Sequence, residues 1–333
     1  MIAAGFFSFE WTAWLTVVVL SMCVLFVCAM VAIPWTTAHL RFWGRRAGAK
    51  NELDAADFLG RHSSVCLAGV FFFGLLSYDL MVSRSPAKWF TTSIFWVPVL
   101  WTFPLLLVVW GGVFKFFEGA SKIRRETNLA QIWAPVGSGV VAIIAVAVVI
   151  GLIVGVGNPS LWPQMRKSPL SVLTTFSFLY LMAFILFASA LTGGVMLMLV
   201  GCRSFLWERG EPISMGARLI CLGASTSLGG LVLLIVLMVV WLIAERLDPI
   251  REIMHSSRPL VLFMAIVLLG CVLGLLELFL SILRWRGNAP RASLAVAALL
   301  FVTVFCAISV YGLPQIQSPG QILLPQVPGL PRQ

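Results

Sequence analysis

Long apolar stretches alternate with short polar segments along most of the chain. About 20 apolar residues in helical form cross the roughly 30 Å hydrocarbon core of a bilayer. Eight stretches approach or exceed that length: residues 11–34, 64–82, 92–116, 135–156, 170–201, 217–244, 260–283 and 292–312. The pattern therefore predicts an all-α fold, a polytopic membrane helix bundle with about eight transmembrane helices over residues 1–312.

Residues 313–333 break this pattern. They carry five prolines and show no helical period. Such a segment favours an extended or disordered chain. It is predicted to be a Pro-rich extended tail, either a free terminus or a strap that lies across a neighbouring subunit through Ile322, Leu323, Leu324 and Leu330.

The composition supports a membrane location. Hydrophobic residues make up 60% of the chain, charged residues make up 11%, and the mean hydropathy is +1.00. An ordinary soluble domain has about 25% charged residues. Because backbone groups in lipid must be paired within the protein, apolar segments of this length predict helices, and they lack the alternating period of a membrane barrel.

Small and aromatic residues predict how the helices pack and where the membrane ends. Gly193-Gly194 and the run from Gly223-Ala224 to Gly229-Gly230 predict close helix–helix contact. Tryptophans such as Trp35 and Trp43 lie near the predicted ends of spans, as an interfacial aromatic belt requires.

Lysine and arginine are unevenly distributed between the connections. Fifteen of the 23 lie in the first, third, fifth and seventh connections or, for Lys115 and Arg218, at the span ends that border them. The longest predicted loop is residues 35–63. Cytoplasmic loops attract Lys and Arg, so both termini are predicted to lie on the non-cytoplasmic side of the cell's inner, or cytoplasmic, membrane. The net charge of +10 then follows from membrane topology, and nucleic acid is not an expected partner.

The cysteines and histidines argue against most metal cofactors. None of the seven cysteines forms a CxxC or CxxCH motif, so no covalently bound cofactor is expected. Of the three histidines, His39 and His62 lie near the two ends of the first connection, and His255 lies in the sixth. Interfacial histidines are the favoured interpretation. One b haem held by His39 and His62 is the disfavoured alternative, because neither residue lies in the middle of a span.

Two acidic residues fall within predicted spans, Asp79 in the second and Glu277 in the seventh. A charged group at the bilayer centre costs about 2.5–3.5 kcal/mol on insertion scales, so each is a candidate functional residue. The functional interpretation is a carboxylate that carries protons or faces a quinone. The structural alternative is a helix–helix hydrogen bond or an interfacial ion pair, such as Asp79 with Arg84.

The segment from residue 57 to residue 112 carries a recognisable order of residues. The relevant positions are Tyr78-Asp79, Met81, Ser83, Pro86, Trp89-Phe90 and Thr91-Thr92. In this order they resemble the NrfD-like quinol-interacting membrane subunits of alternative complex III. The resemblance implies that Asp79 lies near a proton path or quinone pocket, flanked by Lys88 and Trp89. Leu80 stands where the family tends to have Trp, and Ala87-Lys88 where it has His.

These features predict an integral membrane subunit of a multisubunit respiratory electron-transfer complex. Quinone is the expected ligand, and the expected partners are lipids and other membrane and redox subunits that hold haems and iron–sulfur clusters. The chain lacks P-loop, GxSxG and HExxH motifs and a GxGxxG motif before a helix, so catalysis by this chain alone is not expected. The alternatives are a structural scaffold subunit, a small-solute transporter and a single-haem b-type cytochrome.

Overall fold

The computed structural model describes residues 11–47, 50–84, 106, 109–112, 130–207, 214–244, 273, 274 and 276. Within these residues the chain is almost entirely helical and forms no strand. The six α-helices are α1 (Trp11–Ala47), α2 (Lys50–Arg84), α3 (Ala130–Gly157), α4 (Trp162–Lys167), α5 (Phe176–Trp207) and α6 (Ser214–Ala244). Two short 3-10 helices, Pro159–Leu161 and Pro169–Thr174, flank α4.

Five of these helices, α1, α2, α3, α5 and α6, are long and apolar enough to cross a membrane. They coincide with five of the eight predicted spans, and the protein is a membrane-embedded helical protein. The other three predicted spans, residues 92–116, 260–283 and 292–312, lie wholly or largely outside the described residues, as does the predicted tail at 313–333. Residues 106, 109–112, 273, 274 and 276 are the described parts of the third and seventh predicted spans, and they are helical.

The predicted loop at residues 35–63 is wrong, because helix occupies nearly all of it. α1 continues through Pro34 to Ala47, and α2 begins at Lys50. Hydropathy marks where the apolar stretch ends, whereas a helix needs only good helix formers and satisfied backbone groups to continue. At about 1.5 Å per residue, the 37 residues of α1 extend about 55 Å, well beyond the hydrocarbon core.

The predicted start of the fifth span at residue 170 also differs from the structure. Residues 169–174 form a 3-10 helix, and α5 begins at Phe176. Thr175 has an extended backbone, and its Oγ1 accepts a hydrogen bond from the Phe178 N–H at 3.3 Å. A threonine that satisfies one of the free N–H groups of the first turn is a favourable helix start, so the local polar residue sets the boundary.

Antiparallel helix pairs build the core. In the α1–α2 pair, the rings of Phe26 and Phe73 stack with centroids 5.4 Å apart, and Arg41 contacts Asp57 nearer the connection. α1 also packs against α3 and α5, so it lies at the centre of the described bundle. The largest fully buried side chains include Met30 and several others from α1, α5 and α6: Ile33, Leu40, Leu191, Met198 and Leu219.

The helices of the α5–α6 pair approach each other closely, and glycines make this approach possible. Gly194 and Gly201 of α5 face Gly223 and Gly216 of α6, and Gly230 of α6 faces the backbone of Phe187 and Leu191. In each helix these glycines are spaced by seven residues. A Cβ added at Gly223 would lie 2.5 Å from the Gly194 carbonyl oxygen. Such close backbone approach is typical of helix pairs in membranes, and the close packing predicted from these glycine runs is confirmed.

Candidate functional site

Asp79 lies at the end of an exposed, largely apolar face of α2. The side chains of Phe72 and Leu75 are 65% and 66% exposed, and Tyr78 and Asp79 are exposed one turn further on. Residues 72, 75 and 79 share one face because neighbours three and four apart lie on the same side of a helix. Ser77, two residues before Asp79, is buried, and its hydroxyl has no hydrogen-bond partner among the described residues. Asp79 is therefore accessible at the surface of this bundle.

The other residues that the sequence associates with Asp79 lie outside the described residues. Lys88, Trp89 and Glu277 all fall in undescribed parts of the chain. Arg84 ends α2, but its side chain is also outside the description. The suggested quinone-side pocket and the suggested Asp79–Arg84 pair therefore stay predictions.

The two candidate haem ligands each contact an aromatic residue on their own helix. The His62 Nδ1 lies 2.8 Å from the Phe58 carbonyl oxygen, and the ring packs on Phe58 with centroids 4.2 Å apart. The ring centroids of His39 and Trp43 are 6.2 Å apart. Both side chains are exposed, and the described contacts of one do not include the other. The interfacial interpretation of both histidines stays a prediction, and His255 lies outside the described residues.

A buried ion pair joins α1 to α2 at the opposite end from Asp79. Arg41 is 5% exposed, and its Nη2 donates to Oδ1 of Asp57 across 3.1 Å. A buried charge is costly unless it is paired and hydrogen-bonded. Asp57 is half-buried, so the pair extends from the packed interior to the surface.

A second ion pair joins α2 to α6 at the same end. The buried Glu52 Oε1 lies 3.4 Å from Nη1 of Arg218, whose side chain is 59% exposed. The other carboxylate oxygen of Glu52 is buried without a hydrogen-bond partner among the described residues. Leu40, Ala56, Leu59, Leu197, Val200 and Leu219 pack together beside these pairs, so four helices meet in one layer of apolar contacts and ionic links.

Sequence reasoning missed these two pairs because it assigned residues 35–63 to a loop. A usable signal was nevertheless present. Glu52, Ala55, Ala56, Leu59 and Ser63 recur at three- and four-residue spacing, which places an acid on the same helical face as small and apolar residues. An acid on such a stripe predicts a buried carboxylate that needs a cationic partner.

The described residues offer no group of three or more metal-ligating side chains. Cys23, Cys28, Cys66 and Cys221 are free thiols, and Cys28 and Cys66 are buried within the helical core. They pack as small apolar residues.

No protein-family model and no curated protein matches this chain. The exposed α2 face and its terminal carboxylate are therefore the main features of this chain that indicate a function.

Proposed function

We propose that the chain is an integral membrane subunit of a multisubunit respiratory electron-transfer complex. It is a bundle of about eight spans in the cytoplasmic membrane, with both termini on the non-cytoplasmic side. The bundle contacts quinone and carries protons near Asp79, while partner subunits hold the haems and iron–sulfur clusters. Catalysis belongs to the assembled complex, in which this chain supplies a membrane-embedded binding surface.

The observation that carries this proposal is the exposed α2 face that ends in Asp79. Phe72 and Leu75 offer apolar contact area, and Asp79 follows them on the same face. A quinol is complementary to this face, because it has an apolar tail followed by a polar head whose hydroxyls release protons on oxidation. The tail would lie on Phe72 and Leu75, and the Asp79 carboxylate would accept a hydrogen bond, and then a proton, from the head.

The resemblance over residues 57–112 supports the same assignment. It implies that Lys88 and Trp89 flank the quinone head, and Glu277 is a further candidate proton carrier because it is an acid within a predicted span. The second candidate function is a structural scaffold for the redox subunits. Leu80 and Ala87-Lys88 favour it, because they replace the Trp and His of the family pattern.

The membership of a complex is tested by purification from native membranes in a mild detergent. Cytochromes or iron–sulfur proteins that copurify in fixed stoichiometric ratio are the expected result. A chain that purifies alone, or as a homo-oligomer without redox partners, would contradict the respiratory assignment and favour a transporter.

The role of Asp79 is tested in the assembled complex by Asp79→Asn. The amide cannot accept the quinol proton, so we expect quinol-dependent turnover to fall about tenfold or more, in line with the loss of a general base. Asp54→Asn is the matched control, because Asp54 is an exposed acid near the other end of α2. Unchanged turnover in Asp79→Asn, with the complex intact, would leave the scaffold function.

A further inference from the structure

An aromatic and cationic stripe follows one face of α1 beyond the predicted apolar span. Trp35, His39, Phe42, Trp43 and Arg46 are all exposed. Their spacing of three and four residues places them on the same side of the helix. We refer to these five residues as the α1 stripe.

The side chains at the end of the stripe contact one another. The Arg46 guanidinium carbon lies 5.9 Å from the centroid of the Trp43 ring, within the range of a cation–π interaction. Phe42 meets Trp43 edge to face, with centroids 6.1 Å apart and an interplanar angle of 87°. His39 lies one turn before Trp43, and the centroids of the two rings are 6.2 Å apart. The indole therefore positions a cation within an aromatic cluster.

The charge of Arg46 is not neutralised by an ion pair with any of the described acids. Two of the nearby acids are engaged elsewhere, Glu52 with Arg218 and Asp57 with Arg41. Residues 35–63 contain five basic and three acidic residues. This end of the bundle thus carries an excess of positive charge, and Arg46 can bind an external anion.

We propose that the α1 stripe is a binding site for an anionic phospholipid. Arg46 donates hydrogen bonds to phosphate oxygens of the headgroup, and Trp43 and Phe42 cover the glycerol and the first part of the acyl chains. The site is expected at the membrane surface, because α1 is longer than the hydrocarbon core and the stripe follows its apolar stretch. The exposed aromatic rings favour a lipid over a free phosphate, which has no apolar part to contact them.

This inference is independent of the respiratory assignment and is tested on the full chain purified in mild detergent. Native mass spectrometry during titration with dioleoyl phosphatidylglycerol or dioleoyl phosphatidylcholine measures the affinity for each lipid. We expect the wild type to prefer phosphatidylglycerol. Arg46→Gln should weaken its binding about fivefold, the effect of one cation near an anionic surface, and should leave phosphatidylcholine binding unchanged. Trp43→Leu should also weaken phosphatidylglycerol binding.

Two exposed residues outside the stripe provide matched controls. Arg61→Gln removes an arginine from α2, and Trp133→Leu removes a tryptophan that is 65% exposed on α3. Both should retain wild-type lipid preference. Thermal unfolding of each variant verifies the fold. The proposal is overturned if Arg46→Gln binds phosphatidylglycerol as the wild type does, if Arg61→Gln weakens binding equally, or if inorganic phosphate displaces the lipid at comparable concentration.

Discussion

Arg41 of α1 donates a hydrogen bond to Asp57 of α2, with Nη2 and Oδ1 3.1 Å apart. The arginine is buried and the aspartate half-buried, so the pair compensates a charge inside the protein. Both residues lie outside the predicted apolar spans, since Arg41 follows the first span and Asp57 precedes the second. The ion pair therefore joins the two helices beyond the predicted spans, beside the buried apolar contacts of Leu40 with Ala56 and Leu59.

Substitution of Asp57 by Asn should destabilise the bundle by about 1–2 kcal/mol. The buried Arg41 loses its carboxylate partner, and the loss is smaller than the 3–5 kcal/mol of a fully buried pair because Asp57 is half-exposed. Thermal unfolding in detergent measures the change in stability. Unfolding is monitored by the reaction of buried thiols such as Cys28 with a fluorogenic reagent. Asp54→Asn removes an exposed acid one turn away and should stay within about 0.5 kcal/mol of the wild type.

The Glu52–Arg218 pair should respond asymmetrically to loss of its two members. Arg218→Gln leaves the buried Glu52 carboxylate without its ionic partner and should cost about 1–3 kcal/mol. Glu52→Gln removes the buried charge itself and leaves an exposed arginine, so it should cost about 1 kcal/mol or less. In a double-mutant cycle, Arg218→Gln should therefore cost less in the Glu52→Gln background. Equal and additive costs would show that this contact compensates no buried charge.

The hydrophobic pattern of the sequence predicts helix type and membrane location well but not helix length. All five long helices of the described chain coincide with predicted spans. The larger of the two errors is at residues 35–63, where helix continues with polar side chains. The hydrophobic pattern places the end of the first span at Pro34, yet Pro34 lies inside α1. There the loss of one backbone donor does not end a helix that neighbours support on several sides.

The candidate site was predictable only in part, for a related reason. Asp79 can be recognised from the sequence alone, because inserting an acid of an apolar stretch into the membrane costs free energy whichever helices surround it. Glu52 and Arg41 are surrounded by other polar residues in the sequence and become buried only when α6 and α2 supply their partners. The three- and four-residue spacing of Glu52, Ala55 and Leu59 indicates a buried carboxylate, but no local pattern identifies its partner Arg218, which is far away along the chain.

Gly223→Ala should destabilise the α5–α6 pair, although alanine is normally a better helix former than glycine. The added Cβ would meet the Gly194 carbonyl oxygen at 2.5 Å and the Met198 nitrogen at 2.7 Å, both backbone atoms that cannot move away alone. We expect a loss of about 1–3 kcal/mol, as for overpacking of a core. Gly229→Ala on the same helix is the control, because nothing lies within 4 Å of its added Cβ. It should be neutral or slightly stabilising, and equal losses in both variants would contradict the close-packing model.

The ends of the bundle should be accessible from opposite sides of the membrane. Leu197 and Val200, near the end of α5, pack with Leu40 and Ala56, so the Glu52–Arg218 layer lies at that end. The segment at residues 158–175 precedes the start of α5. In a cysteine-free background, we expect Asp54→Cys to react with a membrane-impermeant maleimide only from the cytoplasmic side, since basic residues gather there. Ser168→Cys should react only from the other side.

The pattern of labelling separates three arrangements. Cytoplasmic labelling of Asp54→Cys alone supports the predicted orientation, and the reverse result would invert it and place both predicted termini in the cytoplasm. Both positions are exposed, so each variant should be labelled fully after detergent is added, which controls for reactivity. Labelling of both from one side of intact membranes would contradict an odd number of crossings between α2 and α4. Three crossings are predicted between the two labelled positions: α2, the predicted span at residues 92–116, and α3. Because α2 and α3 alone would return the chain to the same side, labelling from one side would show that not all three cross the membrane.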